Sequence, residues 1–417
     1  MSFQSFSLDP RVLAGVDALG FTEPTPIQER SIPSLLEGHD LLGVAQTGTG
    51  KTAAFVLPIL ERLIGGPRGR LRALIIAPTR ELAEQIHETV RALGRSSGLR
   101  SAVVYGGVGW VPQEKALRTC DILVACPGRL LAHIEARTVR LSSVEVLVLD
   151  EADRLFDMGF LPSIRRLLKE LPSERQTMLF SATMPSEVRV LAREALRNPV
   201  SIEVAADAPA ATVSHAIFPV SQGRKTALLS EILRSPDARS VIVFTRTKHR
   251  AKALARDLMS TGRKVTSMQG NLSQNERRHA LEGFRRGQYD VLVATDIAAR
   301  GIDVESVSHV INYDAPDTVD AYTHRIGRTG RATRTGEAFT LVTHEDMLLV
   351  RTLERMMGKS LERRMIEGFE DRFAPLANGA AKSGAVGNEF RSAPRRRSTG
   401  SAGRPSTGAG RPRRVWG

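Results

Sequence analysis

The chain has little cysteine, few aromatic residues and no long apolar run. Its two cysteines, Cys120 and Cys126, have no neighbouring cluster of metal-binding residues, which favours reduced thiols over a disulfide or a zinc site. No stretch approaches the ~20 apolar residues of a membrane span, and residues 1–10 lack the apolar core of a signal peptide. We therefore expect a cytoplasmic protein with no membrane partner.

What the chain does have is length and an excess of positive charge. At 417 residues it is long enough for two to three domains of ordinary size. Its 41% hydrophobic and 25% charged residues are typical of a globular protein. The net charge of +14 indicates a polyanionic partner, although charge alone does not distinguish RNA from DNA or from an anionic membrane.

Two adjacent acids follow a predicted buried strand in the first half of the chain. Residues 146–149 form a continuous apolar run, β-branched at alternate positions, and Asp150 and Glu151 come next. Because ligands of open α/β sheets bind outside the carboxyl ends of the strands, these acids are predicted to reach a nucleotide. Asp150 can hold Mg²⁺ while Glu151 orients and deprotonates an attacking water. A solvated acidic turn is the alternative, and the neighbouring motifs decide between them.

A phosphate-binding loop is predicted at residues 45–52, which read A-Q-T-G-T-G-K-T. The loop lies between a predicted strand at 40–44 and a predicted helix at 53–63, which is the setting that this motif requires. Alanine at position 45 replaces the first glycine of the motif. The two glycines allow backbone N–H groups to face phosphates at the helix N-terminus. Lys51 is predicted to reach the β and γ phosphates, and the Thr52 hydroxyl to complete the Mg²⁺ shell.

Two shorter segments carry groups suited to a base or a phosphate. Phe21 offers a stacking face, and Gln28 offers the paired donor and acceptor that adenine N6 and N7 require; structural packing is the alternative. A further predicted strand at 73–77 runs into Thr79 and Arg80 at a helix start, where a hydroxyl and a guanidinium suit a phosphate.

Glycine-containing loops follow the next two predicted strands, at 102–105 and 122–125. Such glycines either let a backbone approach a ligand or only relieve crowding, and the sequence favours neither. Trp110 lies near the first of these loops. Packing inside the protein is the favoured interpretation for this residue, and stacking on a base is the alternative.

The second half repeats the alternation of strands and helices after a segment of small residues at 205–212 that contains a proline. Predicted strands lie at 240–244, 264–268, 291–295 and 310–313, with helices at 248–260 and 274–286. This half has no phosphate-binding loop, but residues 324–331 read H-R-I-G-R-T-G-R. Guanidinium groups delivered across a cleft can stabilise a γ-phosphate in the transition state; a generic basic surface is the alternative.

We therefore predict an α/β fold with two tandem domains, each a mostly parallel sheet flanked by helices. The first domain is placed at 1–206, a linker at 207–212 and the second domain at 213–372. Residues 373–417 are rich in Gly, Ser, Pro and Arg, with eight arginines and no acid from residue 391 onward. This tail is expected to be disordered and to tether RNA, with a merely solubilising role as the alternative.

The ordered set of motifs resembles the DEAD-box ATP-dependent RNA helicases over residues 3–357. It comprises PTPIQ, AQTGTGKT, PTRELA, the GG pair, DEAD, SAT, ATDIAARGID and HRIGRTGR. The short N-terminus and compact core are similar to the bacterial RhlE-type subgroup. The resemblance implies two RecA-like domains that close on ATP, Mg²⁺ and single-stranded RNA. It also implies RNA-stimulated ATP hydrolysis that unwinds short duplexes or remodels RNA–protein complexes. Protein partners stay open, with ribosome-assembly and RNA-decay factors as candidates.

The resemblance also implies roles for individual residues. ATP would be held by Phe21, Gln28, Ala45, Gln46, Thr47, Gly48, Thr49, Gly50, Lys51, Thr52 and Asp303, with Thr52 and Asp150 at the metal. The catalytic set would be Lys51, Asp150, Glu151 and two arginine fingers, Arg328 and Arg331. RNA would lie on Thr79, Arg80, Gly107, Gly128, Arg129, Gly270, Gln274, Arg277 and Thr295. Asp153, Ser181, Thr183 and His324 would couple hydrolysis to closure. Contacts of this kind fall on the sugar-phosphate backbone, so little base specificity is expected.

Two positions depart from the family pattern. Cys126 stands where the family usually has threonine, and a thiol is a poor hydrogen-bond donor to a phosphate. Gln269 stands where histidine is common.

Two other functions stay open at this point, a DNA-acting motor and a non-catalytic RNA-binding scaffold. The scaffold would be expected to have lost Lys51, Glu151 or an arginine finger, and the sequence keeps all of them.

Overall fold

A computed structural model describes residues 2–46, 48–204, 213–299, 307–329, 336–358, 360–369 and 371 of the chain. The predicted linker at 207–212 and the predicted tail at 373–417 lie outside the described residues, as do Thr47, Asp303 and Arg331.

The first half forms a seven-stranded sheet in which the neighbouring strands are parallel. Its strands are β1 (Leu41–Val44), β2 (Ala73–Ile76), β3 (Ser101–Val104), β4 (Ile122–Ala125), β5 (Val146–Leu149), β6 (Gln176–Ser181) and β7 (Val200–Glu203). They pair in the order β3-β4-β2-β5-β6-β1-β7.

The second half forms another seven-stranded parallel sheet. Its strands are β8 (Val213–Pro219), β9 (Val241–Thr245), β10 (Val265–Met268), β11 (Val291–Thr295), β12 (His309–Asn312), β13 (Gly336–Val342) and β14 (Glu362–Arg363). They pair in the order β10-β11-β9-β12-β13-β8-β14. The two sheets confirm the predicted α/β class with two mostly parallel sheets.

Helices connect the parallel strands, as parallel pairing requires. In the first half they are α1 (Pro10–Ala18), α2 (Pro26–Leu36), α3 (Lys51–Ile64), α4 (Arg80–Leu93), α5 (Trp110–Leu117), α6 (Pro127–Glu135), α7 (Ala152–Asp157), α8 (Leu161–Glu170) and α9 (Ser186–Ala195). In the second half they are α10 (Lys225–Ile232), α11 (Lys248–Ser260), α12 (Gln274–Arg285), α13 (Asp296–Ala299), α14 (Val319–Ile326) and α15 (Met347–Met357). None of the helices in the described part of the chain has both the length and the apolar character needed to cross a bilayer.

Strand β5 shows why the first sheet is parallel and buried on both faces. Its four residues are all buried, and successive side chains alternate between two separate cores. Val148 packs into the core that holds α3 and α4, whereas Leu147 packs into the core on the opposite face. Because both faces are covered by helices, only the ends of the strands are open to ligands.

Candidate active site and nucleic-acid interface

Four predicted site segments follow four strands that are neighbours in the first sheet. The phosphate-binding loop follows β1, Thr79 follows β2, Asp150 follows β5, and Ser181 ends β6. The order β2-β5-β6-β1 within the sheet brings their carboxyl ends to one edge. The topology therefore brings residues as far apart in the sequence as Ala45 and Ser181 to the place where α/β sheets bind ligands.

Glycines give the phosphate-binding loop its shape. Gly48 and Gly50 have φ angles of 85° and 90°, in the left-handed region that favours glycine. Gly50 is also the N-cap of α3, and a Cβ added there would lie 2.5 Å from Nε2 of Gln28. The second glycine of the motif is therefore required both by its backbone conformation and by a close neighbour.

Lys51 lies at the start of α3 and is buried, with 6% of its surface exposed. Its Nζ donates a hydrogen bond to the carbonyl oxygen of Ala45, at 2.7 Å, so the ammonium group spans the loop. Thr52, the next residue, is half-buried in the same first turn. A buried cation at a helix N-terminus is a suitable environment for a phosphate.

Asp150 is buried at the end of β5. Its Oδ1 accepts a hydrogen bond from the Glu151 N–H at 2.9 Å. The pKa of Asp150 is raised to about 7, mainly by burial; Lys51 opposes the rise, and the nearby carboxylates of Glu151 and Asp153 add to it. A divalent cation at this carboxylate would offset both the burial and the like-charge repulsion. The carboxylate of Asp150 and the hydroxyl of Thr52 are oxygen ligands of the kind that Mg²⁺ prefers, so the residues present fit that ion.

Glu151 is held in place by its backbone and by a buried ion pair. Its φ and ψ angles of 50° and 55° are left-handed, which costs a residue other than glycine about 1–2 kcal/mol. Its Oε2 accepts from Nη1 of Arg154 at 2.8 Å, and the two side chains are 6% and 1% exposed. Arg154 is therefore a functional candidate that our sequence reasoning missed. Its spacing of three residues from Glu151, across the start of a helix, was the available signal.

The predicted coupling residues of the first half lie in one hydrogen-bond network. Oδ2 of Asp153 accepts from the N–H groups of Ala182 and Thr183, at 3.1 and 2.9 Å, and from the Thr183 hydroxyl at 3.2 Å. The Ser181 hydroxyl accepts from the Asp153 N–H at 3.1 Å and donates to the Thr183 carbonyl at 2.7 Å. The network joins the ends of β5 and β6. Its role in coupling stays a prediction, and the side chain of His324 lies outside the described part of the chain.

The predicted adenine-binding residues lie beside the phosphate-binding loop. Oε1 of Gln28 accepts from the Thr25 N–H at 2.9 Å, and its Nε2 donates to the Gly50 carbonyl at 3.0 Å. The ring of Phe21 is 37% exposed and stacks on Phe3, with ring centroids 6.2 Å apart. Gln28 thus ties the N-terminal segment to the loop, and its reading of adenine stays a prediction.

Predicted RNA contacts of the first half form one basic surface. Thr79, which caps α4 through a hydrogen bond from the Leu82 N–H, lies beside Arg80, whose guanidinium covers Gly107. A Cβ at Gly107 would lie 2.2 Å from Nη1 of Arg80, and φ there is 85°. Arg129 donates from Nη1 to the Val108 carbonyl at 3.4 Å. A cavity of about 480 Å³ opens on this surface, lined among others by Thr79, Arg80, Gly106, Cys126, Gly128, Arg129 and Arg277.

Helix α12 of the second half contacts helix α4 beside this cavity. Arg277 pairs with Glu81 at 2.9 Å, and Gln274 donates to the same carboxylate at 3.3 Å. Arg278 pairs with Glu84 at 2.6 Å, and the Tyr105 hydroxyl also donates to Glu84. The structure therefore brings two predicted RNA contacts of the second half, Gln274 and Arg277, to the surface formed by the first.

Other predicted residues of the second half are placed separately. Gly270 is exposed, Thr295 is buried at the end of β11, and Gln269 accepts from the Asn271 N–H at 2.7 Å, which stabilises a local turn. Arg328 is buried. Because Arg331 and Asp303 lie outside the described residues, the arginine-finger and ribose assignments stay predictions.

Arg325 belongs to the motif at residues 324–331, and its contacts show a structural role. Its guanidinium forms a bidentate ion pair with Asp296, at 2.6 and 2.7 Å, and donates to Asn312 and to the Asp314 carbonyl. These bonds tie α14 to β12 and to the segment after β11. Arg325 is therefore committed to the fold of the second half.

A phosphate-binding loop after β1, two acids after β5 and a second parallel α/β half define a P-loop nucleotide-binding protein with two RecA-like domains. Two family models match it: "DEAD/DEAH box helicase" over residues 25–191 and "Helicase conserved C-terminal domain" over residues 224–333. The chain belongs to the DEAD/DEAH box helicase family.

Relatives and solved structures agree with this assignment. The chain is 44% identical to the ATP-dependent RNA helicase CshA of Listeria monocytogenes, over 89% of the chain and 72% of the relative. It is 43% identical to the ATP-dependent rRNA helicase RRP3 of Candida albicans, over 86% of the chain and 68% of the relative. The structure of S. cerevisiae Dbp5 bound to RNA and ADP BeF3 matches with a TM-score of 0.79 and 32% identity, over 87% of this chain and 95% of that one.

Proposed function

We propose that this protein is an ATP-dependent RNA helicase. It couples ATP binding and hydrolysis to the local unwinding of short RNA duplexes or to the remodelling of RNA–protein complexes. The observation that carries the proposal is the pairing of two sites in one molecule. Lys51, Asp150 and Glu151 meet at one sheet edge, and a basic cavity beside it receives Arg277 from the second half. Relatives of the chain are named ATP-dependent RNA helicases.

In this proposal each residue at the sheet edge has a defined task. Lys51 binds the phosphates, and Thr52 with Asp150 holds Mg²⁺, which when bound neutralises charge on the phosphates. Glu151 accepts a proton from the attacking water, and Arg154 fixes the direction of the carboxylate. Arg328 and Arg331 act as arginine fingers, and Asp303 binds the ribose.

The RNA path in this proposal follows the basic surface. Arg80 and Arg129 contact phosphates, and the backbone at Gly107 and Gly128 lets the strand approach closely. From the second half, Gln274 and Arg277 complete the footprint at α12, and Gly270 and Thr295 extend it. Because these groups meet the sugar-phosphate backbone, the core is expected to bind RNA with little base preference.

The remaining expectations belong to the same proposal. We place the domains at 1–206 and 213–372, with a linker at 207–212 and an RNA-tethering tail at 373–417. We place the protein in the cytoplasm, where RNA and ATP are both present, and assign it to the RhlE-type subgroup. Limited proteolysis tests the boundaries, and a tagged protein imaged in cells tests the location.

The proposal is tested by comparing RNA, DNA and no nucleic acid as activators of ATP hydrolysis. We expect RNA to stimulate turnover and DNA to do so far less; equal stimulation would favour the DNA-acting motor. In Glu151→Gln the amide oxygen can still accept from Arg154, so the site keeps its shape while the water loses its base. ATP and RNA binding should persist while turnover falls by about a hundredfold or more. Turnover close to that of the parent would mean that another group is the base, whereas a parent protein without any turnover would favour the non-catalytic scaffold.

A further inference from the structure

Trp110 is the outer member of a stack of rings on α5 and α6. Its indole lies against the imidazole of His133, with centroids 3.9 Å apart and planes inclined by 22°. His133 is fully buried, with 0% of its surface exposed, whereas Trp110 is partly exposed. One face of the indole is thus covered from the inside, and the exposed part of Trp110 belongs to the protein surface.

The indole ring of Trp110 lies close to an arginine of the basic surface. Trp110 comes three residues after Gly107, and the Arg129 guanidinium carbon lies 5.5 Å from its ring centre. Arg129 also donates to Val108 and lines the basic cavity. The indole therefore lies at the edge of the surface that is proposed to hold the RNA backbone.

Two further features distinguish this site from ordinary packing. Val111, the next residue, is 72% exposed, so the start of α5 presents apolar surface directly beside arginines. The ring beneath Trp110 is fixed, because Nδ1 of His133 is hydrogen-bonded to the Thr138 hydroxyl at 2.8 Å. A rigid aromatic face next to cationic groups suits a ligand that is flat, apolar on its faces and attached to a phosphate.

We propose that Trp110 is a stacking subsite for one unpaired RNA base. The base continues the stack of Trp110 on His133, while its neighbouring phosphate meets Arg129. The subsite rests on the proposed RNA binding and adds to it a contact with a base, beyond the contacts with the sugar-phosphate backbone. Because every base has a π face, the subsite accepts all four bases and rejects a nucleotide that lacks one.

The chain offers a direct test, because it contains only two tryptophans, Trp110 and Trp416. In Trp416→Phe the emission reports on Trp110 alone. We expect single-stranded RNA to quench this emission at saturation, and an abasic strand of the same length and charge to leave it nearly unchanged. Binding of both strands is followed independently by the anisotropy of a labelled strand.

Affinity provides the second measurement. Trp110→Leu keeps an apolar side chain against His133 but removes the extended ring, and it should weaken RNA binding by about tenfold while leaving abasic RNA nearly unaffected. Leu348→Ala, which shortens an exposed side chain on α15 outside the basic cavity, is the control and should bind both strands like the parent. Thermal unfolding of each variant reports whether the fold is intact.

The possible outcomes separate the subsite from the proposed function. Normal RNA affinity without quenching, together with equal losses for RNA and abasic RNA in Trp110→Leu, would overturn the stacking subsite and leave RNA binding intact. Failure of the parent protein to bind either strand would contradict the proposed function itself. An affinity loss confined to strands that carry bases, with quenching, supports the subsite.

Discussion

At the scale of single residues, the buried ion pair between Glu151 and Arg154 holds a strained backbone conformation at a proposed catalytic residue. Glu151 adopts a left-handed backbone conformation and keeps it because the following helix and the Arg154 guanidinium hold it. Strain of this kind concentrates at functional sites, where the surrounding structure holds it in place. In the proposed mechanism the pair would fix the carboxylate direction that proton transfer requires, so we propose that Arg154 acts through Glu151 as a positioning residue.

We predict that Arg154→Lys lowers turnover by about tenfold or more while ATP affinity stays near that of the parent, because a single ammonium cannot reproduce the guanidinium geometry. Arg154→Ala should in addition destabilise the protein by roughly 3–5 kcal/mol, since it leaves Glu151 buried without its charge partner. Turnover at saturating ATP and RNA, ATP affinity and urea unfolding measure these effects. A Lys variant with the parental turnover would show that the pair only supports the fold.

At the scale of elements, α6 begins without the cap that α4 has. The Thr79 hydroxyl accepts a hydrogen bond from the Leu82 N–H at the start of α4, whereas Cys126 occupies the N-cap of α6 with no side-chain hydrogen bond. Burial raises the pKa of the Cys126 thiol to about 12, with Glu81 adding to the shift and Arg80 opposing it. The group is therefore a neutral thiol at physiological pH, a weak donor beside a cavity lined by arginines.

We predict that Cys126→Thr raises the free energy of unfolding by about 1 kcal/mol, because a hydroxyl can cap the free N–H groups of the first turn of α6. The same hydroxyl gives the basic surface a donor for phosphate, so RNA affinity should rise as well. Cys126→Val, similar in size but without a hydroxyl, is the control for both measurements. If the Thr variant keeps the urea midpoint and the RNA affinity of the parent, the thiol of Cys126 serves as well as a hydroxyl in capping α6 and in contacting phosphate.

Elements and motifs differ in how far the sequence predicts them. The bounds of β4, β5, β11 and α11 agree with their predictions, because continuous apolar runs and helical periodicity mark them. Helix α3 begins at Lys51, two residues earlier than expected, because Gly50 caps it. Strands β8 and β13 were not predicted: β8 contains polar residues such as His215, whose partner Tyr322 lies far away in the sequence.

The residues of the candidate site also differ in whether the sequence predicts where they lie. The convergence of Lys51, Asp150 and Glu151 at one sheet edge could be predicted, because their motifs follow strands and the topology of parallel sheets brings strand ends together. Arg154, the stack of Trp110 on His133 and the contacts of α4 with α12 could not. These depend on side-chain geometry or on contacts between distant segments, neither of which leaves a local pattern in the sequence.

At the scale of the whole molecule, two ion pairs join the halves through α4 and α12. Arg277 and Glu81 are nearly buried, with 12% and 7% of their side chains exposed, and they line the basic cavity. Arg278 is 47% exposed in its pair with Glu84, so solvent screens that pair strongly. The two neighbouring arginines of one helix therefore differ in burial while they contact the same partner helix.

We predict that Arg277→Ala lowers RNA-stimulated turnover much more than Arg278→Ala. Removing Arg277 leaves the Glu81 carboxylate nearly buried without its partner and takes one cation from the RNA surface, whereas an exposed pair contributes under about 1 kcal/mol. A protein that carries both Glu84→Arg and Arg278→Glu exchanges the charges of the exposed pair. It should regain most of any turnover lost in the protein that carries only one of these two charge reversals. RNA-stimulated turnover at low and moderate salt measures the series. Equal effects of the two alanine variants would contradict the distinction by burial.

Eight arginines between residues 391 and 417 contribute to the net charge of +14 of the whole chain. Each phosphate of single-stranded RNA that they neutralise should steepen the salt dependence of binding by roughly 0.7. An RNA-tethering segment would also raise the local concentration of RNA around the core without acting on the ATP site. Deleting residues 391–417 should therefore weaken RNA affinity and flatten its salt dependence, while turnover at saturating RNA stays nearly unchanged. Parallel salt slopes for the two proteins would show that these arginines do not engage RNA phosphates. A collapse of the saturated rate would instead place the segment within the catalytic machinery.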